Sequence, residues 1–442
     1  MKSSVFGRML PPGTLLAILL TLPQAFAAPA PAPSPAPAPP VDRVIRWSAL
    51  ADNYGDGLVN WRTLAIMHQA MHDAANAVSP RFARWSGPIP EEPAVNGALP
   101  EAAMDAAASQ VLLELHPERR SDTQKAIKLA LDLDEPGPAR DASGVLGRAI
   151  GAAAVARRAH DGRDDIRQFA VGTGAGVWQA TPLEFGGSGT SSTVPFLFPA
   201  RGSLSSILPP ALDSERYRRD LAEVREIGAS VSRSRTETQA DAAVYWATQN
   251  SQRGFLHLAL WLLDQHPLPG GPIEHARVLS QLTAALADSA VIIWHYKEQF
   301  ARWRPVTAIR AGSPGIEVDP QWLPFIETPP FPEYPSGHAA DCFTASKILQ
   351  ATFPDLRDIT YVTQRGKVST LQAIVVGPGQ HMQPGTPRTG PDRDFPSLAA
   401  AAEECADSRI WAGAHFRFAN EESDRLAAAI AERALASVPP LR

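Results

Sequence analysis

Residues 274 to 303, EHARVLSQLTAALADSAVIIWHYKEQFARW, contain no glycine or proline and place apolar side chains every three to four positions. That is the period of a buried helix face. Such a stripe must be covered by other elements, and the rest of the chain offers mainly helices to cover it. The same period recurs in LVNWRTLAIMHQAMHDAANAV (58–78), EAAMDAAASQVLLEL (101–115), SERYRRDLAEVREIGA (214–229), TETQADAAVYWATQ (236–249) and FLHLALWLLDQ (255–265). Two more helices are expected around 398–414 and 421–437. Residues 171–212 are rich in Gly, Ser, Thr and Pro and read as a long ordered loop or hinge. YVTQRGKVSTLQAIVV (361–376) reads as a short strand pair or a loop, and 377–397 reads as loop by composition. With no repeat at a fixed period, the architecture is mainly α.

The N-terminus has its own logic. Lys2 and Arg8 precede an apolar stretch, Leu15 to Leu22, and Ala25-Phe26-Ala27 presents small residues where an export peptidase cuts, so residues 1–27 read as a secretory signal peptide. The expected location is periplasmic or secreted. Residues 28–40, APAPAPSPAPAPP, form a Pro/Ala linker that favours extended geometry. The folded domain is expected over 41–442, with its active-site half at about 274–442. Loss of Lys2 and Arg8 shifts the formal net charge from −5 to −7, spread rather than blocked, which offers no global attraction for nucleic acid. No later uncharged segment reaches the roughly 20 residues of a membrane span. Cys342 and Cys405 are the only cysteines; pairing and two free thiols both stay open.

Three short segments carry the chemistry: Lys297 and Arg304 in KEQFARWRP, Ser336-Gly337-His338 in PSGH, and Arg409 and His415 in SRIWAGAH. Singly the first and third are ordinary; Lys297 and Arg304, seven apart on a helix, would be neighbours after two turns of a solvated face. Together they describe a site for a highly charged oxyanion. Arg304 and Arg409 supply planar forks and Lys297 a point charge. Ser336 adds a hydroxyl, and Gly337 lets a backbone N–H approach closely where a helix N-terminus points at the anion. Two histidines remain, one to bond the central atom and one to move protons. Position assigns the first role to His415, on a helical stretch that directs it and Arg409 toward one anion.

These motifs, in this order, resemble the signature shared by vanadium-dependent haloperoxidases and the type 2 phosphatidic acid phosphatase superfamily, which also includes soluble bacterial acid phosphatases. IMHQAMHDAANAV (66–78), ALADSAVIIWHYKEQFARWRPVTAIR (285–310) and TGPDRDFPSLAAAAEECADSRIWAGAHFRF (389–418) are similar to the haloperoxidase branch over most of their length. The resemblance implies a mainly helical domain of two four-helix bundles and a vanadate cofactor, with phosphate able to occupy the same site. By matching positions, Lys297, Arg304, Ser336, Gly337 and Arg409 would hold the vanadate oxygens, His415 would ligate vanadium, and His338 would be the acid–base group. Lys297 would also polarise the bound peroxide. Trp294 and Phe331 match aromatics that line the halide pocket. The substrates implied are hydrogen peroxide and a halide; the alternative is a periplasmic acid phosphatase using a phosphohistidine.

One position departs from that pattern. An aspartate usually stands four residues after the motif histidine, and here Ala419 does. In the phosphatases this carboxylate orients the nucleophilic imidazole, so its loss counts most against phosphoryl transfer. A backbone carbonyl or another side chain, with Asn420 as one candidate, would then have to fix the second nitrogen of His415. His68 and His72 lie one turn apart beside Asp73, but the small-residue pattern around them favours helix packing over zinc. His295 would line the site entrance or pack, and His381 would gate the pocket or sit in a loop. No phosphate-binding glycine loop, CxxC pair or nucleophile elbow is present. The motif-bearing helices are expected to be neighbours in one bundle, with residues 41–160 forming most of the other. Monomer and homodimer both stay open.

Overall fold

A computed structural model describes residues 42–55, 57–95, 97–165, 171–180, 189–205, 208–248, 250–312, 317–361, 376–377, 380–381 and 393–441. The expected leader and linker lie outside them. Thirteen α-helices are present among these residues: α1 Arg43–Ala51, α2 Gly57–Val78, α3 Pro100–Leu115, α4 Arg120–Leu131, α5 Pro138–Arg157, α6 Glu215–Ile227, α7 Glu237–Thr248, α8 Ser251–Gln265, α9 Pro272–Phe300, α10 Pro305–Ala311, α11 Gly337–Thr352, α12 Leu398–Trp411 and α13 Arg417–Leu435. Strand is confined to short pieces. β1 (Ile359–Tyr361) pairs antiparallel with β4 (Arg393–Phe395), and β2 (Val376–Gly377) with β3 (Gln380–His381). Residues 362–375, where the sequence left strand or loop open, lie outside the described set, as does the side chain of His381.

Two helices organise the rest. α2 is buried on every face, by Leu64, Ile66, Met67, Ala70, Met71 and Ala74 and also by His68, His72 and Asp73, as a helix must be when neighbours surround it. It packs against α3, α5 and α9. The second, α9, carries alanines at 284, 285 and 287 that keep side-chain bulk low along its buried length. α11, α13 and α8 pack on α9 as well, and α12 packs on α11 and α13. α9 therefore belongs to both groups, with α1–α5 on one side and the motif-bearing helices on the other. Among the described residues α9 alone could cross a membrane by length and composition, but 89% of its apolar window is buried inside the protein.

The buried histidines of α2 are satisfied by packing partners. His68 meets the Ser48 hydroxyl at 2.7 Å and the Thr283 hydroxyl at 3.2 Å, tying α1, α2 and α9 together. His72 lies 3.2 Å from Asp73 and 3.2 Å from Asn76. No cluster of three or more metal-ligating side chains occurs among the described residues. The Gly/Ser-rich region is irregular, with one 3-10 turn at Thr190–Ser192. Asp288 of α9 accepts the backbone N–H groups of Phe196 (2.5 Å) and Leu197 (2.7 Å) and so fixes part of that region.

Two expected boundaries move, and both moves shape the site. α9 stops at Phe300 because Ala301 adopts the left-handed conformation (φ 43°). Arg304 therefore does not stack two turns above Lys297; it stands at the N-cap of α10, whose first residue is Pro305. α12 ends at Trp411, and Gly413 is left-handed (φ 78°). The Gly413 N–H bonds the Ile410 carbonyl and the Ala414 N–H bonds the Arg409 carbonyl, both at 2.9 Å, the pair of bonds that defines a Schellman turn. His415 thus reaches Arg409 by chain reversal, not by helical continuation.

Candidate functional site: a buried oxyanion cradle

The three motifs converge. Lys297 comes from the last turns of α9, Arg304 from the start of α10, Ser336 to His338 from the start of α11, Arg409 from the end of α12, and His415 from the reversal after it. An aromatic cluster sets their positions. Trp303, Tyr334 and Phe416, the chain neighbours of Arg304, Glu333 and His415, share one core with Tyr217 and Phe418. Phe416 stacks on Phe418 with centroids 5.0 Å apart, and Trp303 Nε1 donates to the Tyr217 hydroxyl at 2.8 Å. Aromatic pairs of this kind contribute roughly 0.5–1.5 kcal/mol each beyond their burial, and here they anchor three polar residues from distant segments.

Around the site the hydrogen bonds are specific. The Arg304 guanidinium is fully buried; Nε donates to the Phe331 carbonyl (2.8 Å), and Nη1 to the Ala414 carbonyl (2.9 Å) and to His415 Nε2 (3.0 Å). On the other side of the ring, His415 Nδ1 lies 2.9 Å from Glu333 Oε1, which also accepts the Phe416 N–H at 3.1 Å. Lys297, 1% exposed, donates to the carbonyls of Pro332 (2.9 Å), Glu333 (2.8 Å) and Pro335 (2.5 Å). Its three protons clasp the loop that carries Glu333, so it adds charge to the site across that loop. Ser336 caps α11, its oxygen 3.5 Å from the Ala339 N–H, and its hydroxyl proton remains to be donated.

Several donors have no partner among the described residues: Arg304 Nη2, Arg409 Nε and Nη1, together with the imidazole nitrogen His338 Nε2. Buried polar atoms are nearly always paired, so this group marks a place built for a bound acceptor. A Cβ added at Gly337 would meet nothing within 4 Å, so open space lies at the N-terminus of α11, where backbone N–H groups and the helix dipole favour an anion. Burial lowers the proton affinity of Lys297, with Arg304 adding to it and Glu333 and Asp341 opposing. Burial likewise presses down Arg304 and Arg409, though a guanidinium stays charged near neutrality. His415 is held well below the ordinary histidine value by burial and then by Arg304, Lys297, Arg409 and His338. The same causes, with Arg409 the foremost charge, act on His338. Glu333 is raised to about 7 by burial, against the pull of Lys297 and Arg304. Both imidazoles are therefore neutral, beside the guanidinium groups of Arg304 and Arg409, the Lys297 amine and the Glu333 carboxyl group.

Trp294 and Phe331 meet with centroids 4.9 Å apart. Phe331 lies under the cations, 5.3 Å from Lys297 Nζ and 4.8 Å from Arg304 Cζ. His295 meets Tyr296 edge-on with ring centroids 5.0 Å apart. Asn420 does not reach His415: its amide donates to the Ala406 carbonyl at 2.7 Å, because α13 begins at Arg417 and turns that side chain toward α12. The partner of His415 is Glu333, a residue the motif reading passed over. The one available signal was a lone carboxylate in the proline and aromatic run PPFPEYP. Behind the cradle, Cys342 and Cys405 form a disulfide between α11 and α12, Cα–Cα 6.4 Å.

Residues 277–441 match the family model of the second helical-bundle domain of vanadium chloroperoxidase. The chain is 29% identical over 170 residues to vanadium chloroperoxidase of Curvularia inaequalis, a match covering 33% of this chain and 28% of that protein. It thus spans just over a quarter of the length of that curated relative. Among solved structures it resembles a bacterial vanadium-dependent iodoperoxidase (TM-score 0.73, 20% identity, 90% of this chain and 96% of that one). It also resembles a holo bacterial vanadium-dependent chloroperoxidase (TM-score 0.64, 18% identity, 90% and 97%). The fold is that of the vanadium haloperoxidases. Residues 277–441 thus carry the second-bundle pattern of vanadium chloroperoxidase on a chain whose fold resembles that of the solved vanadium haloperoxidases.

Proposed function

We propose that this protein is an exported haloperoxidase that oxidises a halide with hydrogen peroxide to the level of a hypohalous acid, with vanadate as its resident cofactor. The observation that carries the reading is the set of unpartnered buried donors on Arg304 and Arg409, beside a histidine nitrogen that bears a lone pair. This fits vanadate. Planar guanidinium forks, a serine hydroxyl and a helix N-terminus suit its oxygens, and an uncompensated buried cationic cluster demands a charged guest. When bound, vanadate supplies a Lewis-acidic centre that activates peroxide without a change of metal oxidation state.

Each residue then has a task. Arg304, Arg409, Ser336 and the Gly337 N–H hold oxygens, and Lys297 adds positive charge across the loop it clasps. His415 presents Nε2 to the central atom. His338, neutral and with Nε2 free, takes and returns a proton. Trp294 and Phe331 form an apolar wall that excludes water where the halide approaches. The leader at 1–27 and the Cys342–Cys405 disulfide support export to an oxidising compartment; a mature N-terminus other than Ala28 in the exported protein would correct the cleavage site. The function is tested by assaying halogenation by the vanadate-free protein with peroxide and iodide, bromide or chloride, before and after adding orthovanadate. Activity that appears only with vanadate is expected; its absence with all three halides ends the reading.

Phosphomonoester hydrolysis in the same cradle is favoured by one observation. The carboxylate absent at position 419 is supplied in space by Glu333, 2.9 Å from His415 Nδ1, so its loss from the motif no longer counts against a phosphohistidine. Hydrolysis of an aryl phosphate that His415→Ala abolishes would establish that activity.

A further inference from the structure

Glu333 is fully buried and lies directly beneath the reactive histidine. Its Oε1 meets both His415 Nδ1 at 2.9 Å and the Phe416 N–H at 3.1 Å. Across the ring, Arg304 Nη1 approaches His415 Nε2 at 3.0 Å. A guanidinium can only donate, so Nε2 accepts and the single proton of the neutral ring is on Nδ1, where it is donated to Glu333. The tautomer is thus set from both sides. Glu333 is itself held: its N–H bonds the Arg302 carbonyl at 2.9 Å, and its own carbonyl accepts from Lys297 at 2.8 Å. At position 419 no carboxylate is present: Ala419 is fully buried in the aromatic cluster.

We infer that Glu333 is the positioning residue of this site: it fixes His415 as the Nδ1–H tautomer and so aims the Nε2 lone pair at the central atom of the bound oxyanion. The inference rests on the reading of His415 as the group that bonds that atom. It differs from a merely structural role in acting through one nitrogen. A loop brace would affect every anion held by the cradle, whereas a tautomer lock affects most the anion that forms a bond to Nε2.

The test uses the vanadate-free protein with Glu333→Ala and Glu333→Gln. Calorimetric titration with orthovanadate and with inorganic phosphate is paired with 15N spectra of histidine-labelled protein, in which the His415 signals are those lost in His415→Ala. In Glu333→Ala, vanadate affinity is expected to fall by about 10–100-fold, the usual cost of removing a partner behind a metal-bound imidazole. Phosphate, held by charge and N–H groups, should fall distinctly less, and the His415 spectrum should show the Nε2–H tautomer. Glu333→Gln keeps an acceptor for Nδ1–H and should retain the tautomer, with a vanadate loss smaller than that of Glu333→Ala. Should the alanine variant not fold, the glutamine variant decides: an Nε2–H tautomer with unchanged vanadate affinity, or equal loss of both anions, overturns the inference. In the alanine variant an unchanged tautomer overturns it too. A wild-type protein that binds vanadate but oxidises no halide defeats the haloperoxidase reading and leaves this test intact.

Discussion

His338 and His415 lie in one pocket but have different partners, and their removal should fail in different ways. His415 is locked between Arg304 and Glu333; His338 keeps Nε2 unpartnered while its ring bonds the Trp246 backbone. With His415 as the proposed ligand, His415→Ala would remove the protein's bond to the central atom, so vanadate should be held by charge and hydrogen bonds alone, with affinity lost first. His338→Ala should leave vanadate bound and slow turnover by roughly 10²–10⁴-fold, the range for a missing acid–base group. Calorimetry beside the halogenation assay separates the two, and the reverse pattern would exchange their roles. At this scale the residues that converge on the cradle were legible in the sequence, because each sits inside a short motif. Glu333 was not. Its contact with His415 spans 82 positions and is made by two loops that fold together around Tyr334 and Phe416.

Between residue and molecule, the decisive element is the end of α12. The left-handed Gly413 lets His415 turn back on Arg409, and a Cβ there would fall 2.5 Å from the Gly228 carbonyl oxygen and 2.9 Å from Pro324 Cβ. Gly413→Ala should therefore cost more than the roughly 1–2 kcal/mol of the left-handed conformation alone, and vanadate affinity should fall with stability. Gly147 gives the contrast. It lets α5 approach α3, where a Cβ would lie 2.2 Å from the Ala103 carbonyl oxygen, so Gly147→Ala should lower the denaturation midpoint while leaving the anion affinity of the folded fraction unchanged. A Gly413→Ala protein with wild-type stability would contradict the account. Apolar period placed α2, α3, α6 to α9, α12 and α13 to within about four residues, but it ran on past Phe300 and Trp411, because a left-handed turn at an alanine or glycine leaves little trace in hydrophobic spacing.

Across the whole molecule, α9 joins the two bundles, and His68 shows what that burial implies. Its proton affinity is pushed down to about 3 by burial, below the 6.5 of an unfolded histidine. The unfolded chain therefore takes up a proton here as the pH drops below 6.5 while the fold does not. Stability due to this residue is complete above that value and is lost progressively between about 6.5 and 3. His68→Gln, which can still bond Ser48 and Thr283, should lose less stability than the wild type between pH 7 and pH 5, read as the shift in urea midpoint. An equal shift in both proteins would remove His68 from that acid limb. The sequence by itself determined the helical class, the presence of one long buried helix at α9 and the three short motifs that the fold brings together, since each follows from local period or a compact string. The tertiary structure decided that Lys297 spends its protons on a loop, that Arg304 leaves the helix of Lys297, that Cys342 meets Cys405, and that Glu333 stands where an aspartate was missing. Those are contacts between distant segments, fixed by packing and chain reversal, and no local pattern encodes which surfaces will meet.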